Sequence, residues 1–310
     1  MVLSSPVFVI GYVFSVLSLI ASLYVMISYL IHKPTRHNAF FFLIASINFL
    51  DLCLGFSSVP LLSIHITEND DVIADGVECS IFGVLRTFAL LSSYLMNVLL
   101  AWAIYCGVTL TSYSEAKPNS YYHVRVAGIY LCSLIAALLP LSTNSIGKGT
   151  LYCDLKADTQ PADLVWQIID YIVPFILSFC CIVVMMVMAI RQLRKLYGGS
   201  TIKRRFYRLL LFPAIFLFVN SGGFISRFAT FSSVIPEWLE SYHFLLRQIQ
   251  GVFHGGVYGL IFLLDRSHSA QEKTSYHESK ELLIDTNSES VLSFPINRLS
   301  DVNAESPRAS

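Results

Sequence analysis

The chain has 310 residues, of which 55% are hydrophobic and only 14% charged, and its mean hydropathy is +0.61. Soluble domains carry about a quarter of their residues as charged side chains, so this composition excludes an ordinary soluble domain. Lys plus Arg equals Asp plus Glu at 21 each, and this neutral balance gives no indication of nucleic-acid binding. No internal repeat is evident, so a solenoid and an inverted-repeat transporter gain no support.

Seven apolar segments are long enough to cross a bilayer, which takes about 20 residues in a helix. The first segment lacks a basic leading region and a clean cleavage site, so we interpret it as a retained span rather than a signal peptide. The predicted spans are Val7–Ile31, Ala39–Leu62, Ile81–Thr111, Val124–Asn144, Leu164–Ile190, Leu209–Phe231 and Phe244–Leu264. The sequence therefore predicts an all-α membrane protein whose seven-helix bundle occupies residues 7–265.

Basic residues between the spans predict the orientation of the chain. The loops 32–38, 112–125 and 191–208 hold eleven Lys or Arg, whereas the three loops on the other side hold two, together with ten acidic residues. Basic loops stay in the cytoplasm, so we predict a short extracellular N-terminus, residues 1–6, and a cytoplasmic C-terminus. The polar segment 266–310, with ten Ser and two Thr, is predicted to be a disordered tail because it cannot bury enough apolar surface.

Two of the seven cysteines are candidates for a disulfide. Five lie inside predicted spans, where a free thiol behaves as a small apolar side chain. Cys79 lies at the outer mouth of span three and Cys153 lies in the loop "LYCDL", so both face an oxidising compartment in the predicted topology. We predict that these two form a bond that holds the loop over span three; two free thiols are the alternative.

The spans also carry motifs that resemble a known receptor family. The segments are "LIASINFLDLCLG", "RLLLFPAIFLFVNSGGFISRF" and "IQGVFHGGVYGLIF", and their matching positions are Asp51, the Pro213 to Arg227 pairing, Gln250-Gly251 and Val257-Tyr258-Gly259. With the topology above, they resemble the cyclic-AMP-receptor-like family, class E of the G-protein-coupled receptors. That family includes the slime-mould chemoattractant receptors, a plant member and animal orphan relatives. The resemblance covers all seven spans but not the tail.

The chain departs from receptor families at three places. His254 stands where class E relatives often carry Asn. The end of span three, "YCGVTLTSY", has no Asp-Arg-Tyr, and span seven has no Asn-Pro-x-x-Tyr, which we interpret as evidence against the rhodopsin-like class. The resemblance implies a plasma-membrane receptor that is not an enzyme. It implies that this receptor binds an extracellular ligand, signals to a heterotrimeric G protein, and uses no cofactor and no metal.

Three arginines near the outer ends of spans three, six and seven indicate an anionic ligand, because Arg binds carboxylate or phosphate with a two-pronged fork. Asp170 could neutralise one of them, and an Arg near a helix end can extend to the membrane interface instead. Tyr94, Trp166 and Gln250 are candidate walls of the same cavity. The predicted ligand-binding residues are Arg86, Tyr94, Trp166, Asp170, Arg227, Arg247 and Gln250.

A second polar group is predicted deeper in the bundle. Asp51 lies in the middle of span two, where a lone carboxylate is costly unless it is paired or solvated. We predict a network that rearranges on activation, with a static interhelical hydrogen bond as the alternative. Its predicted members are Asn48, Asp51, Asn97, Asn220, His254 and Tyr258.

Span seven combines polar residues with small ones. Gly251, Gly255 and Gly259 recur every four residues, with Gly256 beside them, so we expect this span to approach its neighbours closely. At the cytoplasmic side, the segment "IRQLRKLYGGSTIKRRFYR" is basic and is expected to contact anionic lipid headgroups or a G protein. The predicted G-protein contacts are Arg194, Lys195, Lys203, Arg204 and Arg205.

Other classes of membrane protein fit the sequence less well. A transporter or channel for a small anionic solute needs a polar path across the membrane, whereas the charges cluster at the outer third, with only Asp51 deeper. An intramembrane metal hydrolase needs several His and acids at mid-depth, and only His254 qualifies among the histidines. A retinal protein needs a Lys in span seven, which has none. The transporter is therefore the alternative to the receptor.

Overall fold

The computed structural model describes residues 5–32, 38–67, 76–109, 119–148, 153–156, 161–195, 206–230, 238–239 and 241–261, all within the compact unit Met1–Ile261. The helices are α1 Ser5–Ile31, α2 Ala39–Thr67, α3 Val77–Thr109, α4 Asn119–Leu138, α5 Pro161–Lys195, α6 Leu211–Thr230 and α7, residues 241–261. Each predicted span overlaps one of these helices, and the end of span four forms a 3-10 helix, Leu139–Thr143. The predicted tail, 266–310, lies outside the described residues.

Helices form throughout because the bilayer offers no hydrogen bonds to the backbone, so every N–H and C=O must be satisfied within the segment. Six helices of the described part are long and apolar enough to cross a membrane. The less apolar α7 buries its polar side chains Arg247, Gln248, Gln250 and His254 inside the bundle. The polar residues of α7 therefore lie on the face of the helix that points into the bundle.

Helix α3 lies at the centre of the bundle and packs against α2, α4 and α5. Helix α7 approaches α1 at Gly251 and Gly255, where an added Cβ would lie 2.2 Å from Ser18 Oγ and 3.0 Å from Ala21 Cβ. The expectation that Gly256 and Gly259 also serve close approach is wrong, because no described residue of a neighbouring helix lies within 4 Å of a Cβ added at either position. Only the part of the glycine pattern that faces α1 is used in packing.

Two irregular turns precede the prolines of α5 and α6. Residues Ile168–Ile172 of α5 form a π-helical segment, and Pro174 lies two residues after its end. Proline cannot donate a backbone hydrogen bond and its ring clashes with the carbonyl four residues earlier, which here belongs to Asp170. A turn at Leu210 likewise lies three residues before Pro213 and separates the short helix 206–209 from α6.

The loop after α4 forms a small hairpin that the all-α expectation did not include. Strands β1, Ile146–Lys148, and β2, Cys153–Leu155, pair antiparallel. A disulfide joins Cys153 of β2 to Cys79 in the first turn of α3, with 5.1 Å between their Cα atoms. We call the end of the bundle that carries this bond the disulfide end. The bond brings the residue after Cys153 close to the interior of the bundle.

Candidate functional site

A small polar cavity lies between α1, α2, α3 and α7, and we call it the arginine pocket. Its lining residues are Ser15, Ser18, Asp51, Leu54, Gly55, Ser58, Arg86, Arg247, Gln248, Gln250 and Gly251. Most of these side chains are polar, although they lie in the interior of an apolar bundle. The space between them is on the order of one water molecule. The pocket therefore admits a single small polar species in this arrangement of the helices.

Arg86 reaches the arginine pocket from α3 and is 1% exposed. Its Nη1 donates a hydrogen bond to Ser58 Oγ on α2 at 3.1 Å, and its Nε lies 3.6 Å from Asp154 Oδ2 on β2. Asp154 follows Cys153, so the disulfide places this carboxylate beside the guanidinium. Among the described side chains, the acidic partner of Arg86 is Asp154 rather than Asp170.

Arg247 reaches the arginine pocket from α7 and is 7% exposed. Its Nε and Nη2 are buried and make no hydrogen bond with any described residue. No acidic side chain in the described part of the chain lies within 4.0 Å of this guanidinium. Burying a cation is costly without a partner, and no described carboxylate offsets this cost at Arg247.

Asp51 of α2 lines the inner part of the arginine pocket and is hydrogen-bonded to α7 through both oxygens. Gln250 Nε2 donates to Asp51 Oδ1 at 2.9 Å, and His254 Nδ1 lies 2.6 Å from Asp51 Oδ2. Asn220 Nδ2 of α6 lies 3.5 Å from Gln250 Oε1, and the His254 ring stacks on Phe212 of α6 with 5.6 Å between ring centroids. The buried carboxylate therefore joins α2 to α7, and Gln250 and His254 in turn contact α6.

The sequence model of the family described as 7 transmembrane receptor (rhodopsin family) matches residues 21–280. The chain belongs to this family of receptors. The interpretation of the missing Asp-Arg-Tyr and Asn-Pro-x-x-Tyr as evidence against the rhodopsin-like class is therefore wrong. Two short motifs weigh less than a pattern that extends over all seven helices. The match does not confirm the class E resemblance, and no curated protein shows significant similarity to the chain.

The family membership establishes the general role of the protein. It is a multi-pass membrane protein of a receptor family that signals through G proteins, and enzymatic activity is not a general property of that family. The six long apolar helices of the described part agree with this role. The seventh helix, α7, supplies four of the residues that line the arginine pocket.

Three of the residues predicted to bind ligand lie elsewhere in the receptor. Tyr94 is fully buried in an aromatic cluster with Tyr171, Phe175 and Phe216, all in edge contact with its ring. Trp166 lies near the start of α5. The pocket residues that the structure brings together are Arg86, Arg247 and Gln250, and the residues it places apart are Tyr94, Trp166 and Asp170.

The reasons for these placements are local. Trp166 Nε1 donates to Thr143 Oγ1 at 2.8 Å, which holds the indole against the turn after α4. Asp170 is buried in the π-helical segment of α5 and forms no ion pair with a described arginine. Arg227 lies in α6, and its side chain is outside what the structure describes.

Fewer residues join the hydrogen-bonded network around Asp51 in the structure than were predicted from the sequence. Asp51, His254 and Asn220 are linked, with Gln250 as the connecting residue. Asn48 and Asn97 do not join it, because each donates its side-chain amide to the carbonyl four residues earlier in its own helix. Tyr258 packs edge-on against Phe41 of α2 and is fully buried, near the other end of α7. The two asparagines are therefore corrected to local contacts.

Helix α1 also contributes to the pocket, which was not predicted from its sequence. Ser15 Oγ donates to Gln248 Oε1 of α7, and Ser18 lies against Gly251. Ser15, Ser18 and Ser22 are spaced by three and four residues, so they occupy one face of an otherwise apolar helix. All three are buried, and this polar stripe was a readable signal that α1 faces a polar partner.

The other end of α5 carries exposed basic residues. Arg194 and Lys195 lie in its last turn, at the end of the helix far from its contact with the hairpin. Lys203, Arg204 and Arg205 lie outside the described residues. The structure therefore describes two of the five predicted G-protein contacts.

Proposed function

We propose that this receptor binds a small anionic ligand from the extracellular side, through the arginine pocket, and activates a heterotrimeric G protein at the plasma membrane. One observation supports the ligand class above all: Arg86 and Arg247, both more than nine-tenths buried, line the same pocket. A guanidinium binds carboxylate or phosphate through two parallel hydrogen bonds. Gln250 adds a polar group at the inner side of the same pocket.

The small size of the pocket restricts how the ligand enters. Space for about one water molecule excludes a whole metabolite but accepts one oxygen of an anionic group. The ligand would therefore bind better to an arrangement in which α7 has moved relative to α1 and α2. A ligand that binds one arrangement better than the other shifts the population toward it, which is how a receptor transmits binding.

A change in the arginine pocket would be passed to α2 and α6 through Gln250. Gln250 lies one turn from Arg247 on α7, and it contacts both Asp51 of α2 and Asn220 of α6. A displacement of α7 by an anion bound at Arg247 would change these contacts. Gly251 and Gly255, which pack directly on α1, provide a smooth surface for this displacement.

The cytoplasmic side is proposed to be the end of α5 that carries Arg194 and Lys195. These residues, with Lys203, Arg204 and Arg205, would contact the G protein and anionic lipid headgroups. Supporting this orientation, the disulfide lies at the opposite end, as an oxidising exterior requires. The class E resemblance of α2, α6 and α7 stays a prediction beside the rhodopsin-family membership.

A G-protein activation assay in cells tests the proposal. Wild type, Arg247→Gln and Arg86→Gln are compared at equal surface expression across a panel of small carboxylates, phosphates and nucleotides. Lys156→Gln is the control, because it removes one positive charge from the disulfide end without touching the pocket lining. We expect at least one anion to activate the wild type and the control, and to lose about tenfold or more in potency in both pocket variants.

The outcomes separate the parts of the proposal. Full potency in both pocket variants would reject the pocket as the ligand site while keeping the receptor. Silence of the wild type toward every anion, with constitutive G-protein activation intact, would reject the anionic ligand alone. Uptake of a labelled anion without any G-protein activation would favour the transporter instead.

A further inference from the structure

Arg125 is an exposed cation in a segment that is otherwise apolar. It lies in the stretch Tyr121–Thr143, which begins in α4 and is long and apolar enough to cross a membrane, and this stretch contains no other Lys, Arg, Asp or Glu. At 1.5 Å per residue, its Cα lies about 6 Å along the helix from the start of the stretch. A charge at this depth is costly beside lipid unless it reaches the interface and finds a partner there.

The described side chains do not supply an acidic partner. No carboxylate in the described part of the chain lies within 4.0 Å of the Arg125 guanidinium. Val124, directly before it, is 73% exposed, and Gly128, one turn after it, is exposed as well. No described residue of a neighbouring helix lies within 4 Å of a Cβ added at Gly128. The surface beside Arg125 is therefore apolar and open to the surrounding lipid.

Two aromatic rings hold the Arg125 guanidinium in place. Its central carbon lies 4.0 Å from the centre of the Tyr121 ring and 4.7 Å from the centre of the Trp102 ring of α3. The centres of these two rings are 6.0 Å apart. A ring face attracts a cation through its charge, so the N–H donors of the guanidinium still need oxygen acceptors. Phosphate is such an acceptor, because a guanidinium binds it through two parallel hydrogen bonds.

The position of this cluster favours a lipid phosphate over a soluble one. Trp102 lies about 35 Å along α3 from Cys79, so the cluster is at the end of the bundle opposite the disulfide. Trp and Tyr are enriched at the membrane interface, where phospholipids carry their phosphates. A soluble anion would have to leave water for a lipid-facing surface. In the orientation proposed above, this end faces the cytoplasmic leaflet, which carries the anionic phospholipids.

We propose that Arg125, Trp102 and Tyr121 form a binding site for the phosphate of an anionic phospholipid. The guanidinium binds two phosphate oxygens, the two rings hold it in place, and an acyl chain lies along the open surface at Gly128. A lipid of net negative charge neutralises Arg125, whereas phosphatidylcholine brings its own cation. The site goes beyond the proposed function and needs neither the extracellular ligand nor the G protein. The orientation of the receptor serves only to name the leaflet.

The test measures lipid binding beside Trp102 through the quenching of its fluorescence. The full-length receptor with Trp166→Phe and Trp238→Phe keeps Trp102 as its single tryptophan, since the sequence contains three. It is placed in phosphatidylcholine nanodiscs with increasing fractions of brominated phosphatidylserine or brominated phosphatidylcholine, because bromine quenches a tryptophan only at close range. Phosphatidylserine is expected to bind about fivefold more tightly than phosphatidylcholine. Equal binding of the two lipids would overturn the proposal.

Three further substitutions assign the preference to the site. Arg125→Gln is expected to abolish it, whereas Arg191→Gln, which removes an exposed Arg of α5, is expected to retain it. Tyr121→Leu keeps the charge but removes one ring, and it is expected to reduce the preference about twofold. This variant separates a site held by aromatic rings from attraction by charge alone. A full preference in Arg125→Gln or in Tyr121→Leu would overturn the site.

A second measurement decides the question if the single-tryptophan receptor does not fold. The melting temperature of the wild type is then compared in nanodiscs with and without phosphatidylserine. A rise with phosphatidylserine that is lost in Arg125→Gln and kept in Arg191→Gln would support the site, and the absence of a rise in the wild type would overturn it. Sodium phosphate is added to phosphatidylcholine nanodiscs as the last comparison. A rise of equal size with this soluble anion would overturn the assignment to a lipid.

Discussion

His254 Nδ1 lies 2.6 Å from Asp51 Oδ2, which joins α7 to α2 in the interior of the bundle, where both side chains are almost completely buried. The same carboxylate receives a hydrogen bond from Gln250, one turn earlier on α7. A carboxylate in an apolar bundle needs such partners, because its desolvation is otherwise uncompensated. The contact with His254 therefore offsets part of the cost of burying the Asp51 carboxylate in an apolar bundle.

Replacing His254 by Leu is expected to destabilise the receptor by about 3–5 kcal/mol, because it leaves Asp51 buried beside an apolar group. The measurement is the melting temperature of the purified protein, with surface expression in cells as a second readout. The double variant Asp51→Asn with His254→Leu removes the buried charge as well and is expected to recover part of the loss. Strictly additive effects of the two substitutions would show that the residues do not interact.

Replacing Asp154 by Asn is expected to lower the stability of the disulfide end by about 1–3 kcal/mol, because Arg86 loses the carboxylate beside its Nε. Thermal unfolding measures the loss. The matched control is Glu78→Gln, which removes an exposed acid from the first turn of α3 beside the disulfide. An equal effect of the two substitutions would mean that the Arg86–Asp154 contact contributes no specific stability.

Replacing Gly251 by Ala is expected to reduce folding yield, since the new Cβ would lie 2.2 Å from Ser18 Oγ and 3.1 Å from the Ser18 carbonyl oxygen. Helix α7 would have to move away from α1, which also disturbs the arginine pocket. Gly256→Ala is the control, because no side chain of another helix in the described part of the chain lies within 4 Å of its added Cβ. We expect Gly256→Ala to be neutral or slightly stabilising in a thermal assay, as Ala favours helix more than Gly. Equal yields of the two variants would contradict the close packing of α1 and α7.

Replacing Phe206 by Ala is expected to raise ligand-independent G-protein activation about twofold or more, if the receptor couples as proposed. Phe206 precedes α6 and contacts Phe40 of α2 edge-on at 6.2 Å between ring centroids. An added Cβ on Gly107 of α3 would lie 3.2 Å from each of these two rings. The contact therefore holds the start of α6 against α2 and α3.

The control for this prediction is Tyr207→Ala, which removes a neighbouring exposed ring. Basal nucleotide exchange is compared at equal surface expression. A basal rate in Phe206→Ala that stays at the wild-type level would show that the contact does not restrain α6.

The positions of the helices could be predicted because hydrophobic length is a local property of the sequence. The predicted span Ala39–Leu62 begins where α2 begins, and the span Val7–Ile31 ends where α1 ends. One element, the strand pair after α4, was not predicted. The pairing of Ile146–Lys148 with Cys153–Leu155 was missed because two three-residue strands have no hydrophobic period, and one of them is held by a disulfide to a distant helix.

The partners of the polar residues could be predicted only in part. Asp51 and His254 were assigned to one network because an unpaired carboxylate in a bilayer is too costly, and that reason holds for any arrangement of the helices. Asn48 and Asn97 were assigned to it as well, although an amide can satisfy itself on the carbonyl four residues earlier in its own helix. Composition cannot distinguish these two outcomes.

The sequence by itself determined seven apolar segments, two cysteines able to pair, and a need for partners at Asp51, Arg86 and Arg247, because these follow from the solvation of each residue type. The tertiary structure alone decided which groups meet. It placed Asp154 beside Arg86, enclosed Tyr94 in an aromatic cluster, and brought the serine face of α1 to Arg247. Those outcomes depend on the rotation and neighbours of each helix, which are set by the packing of the whole bundle.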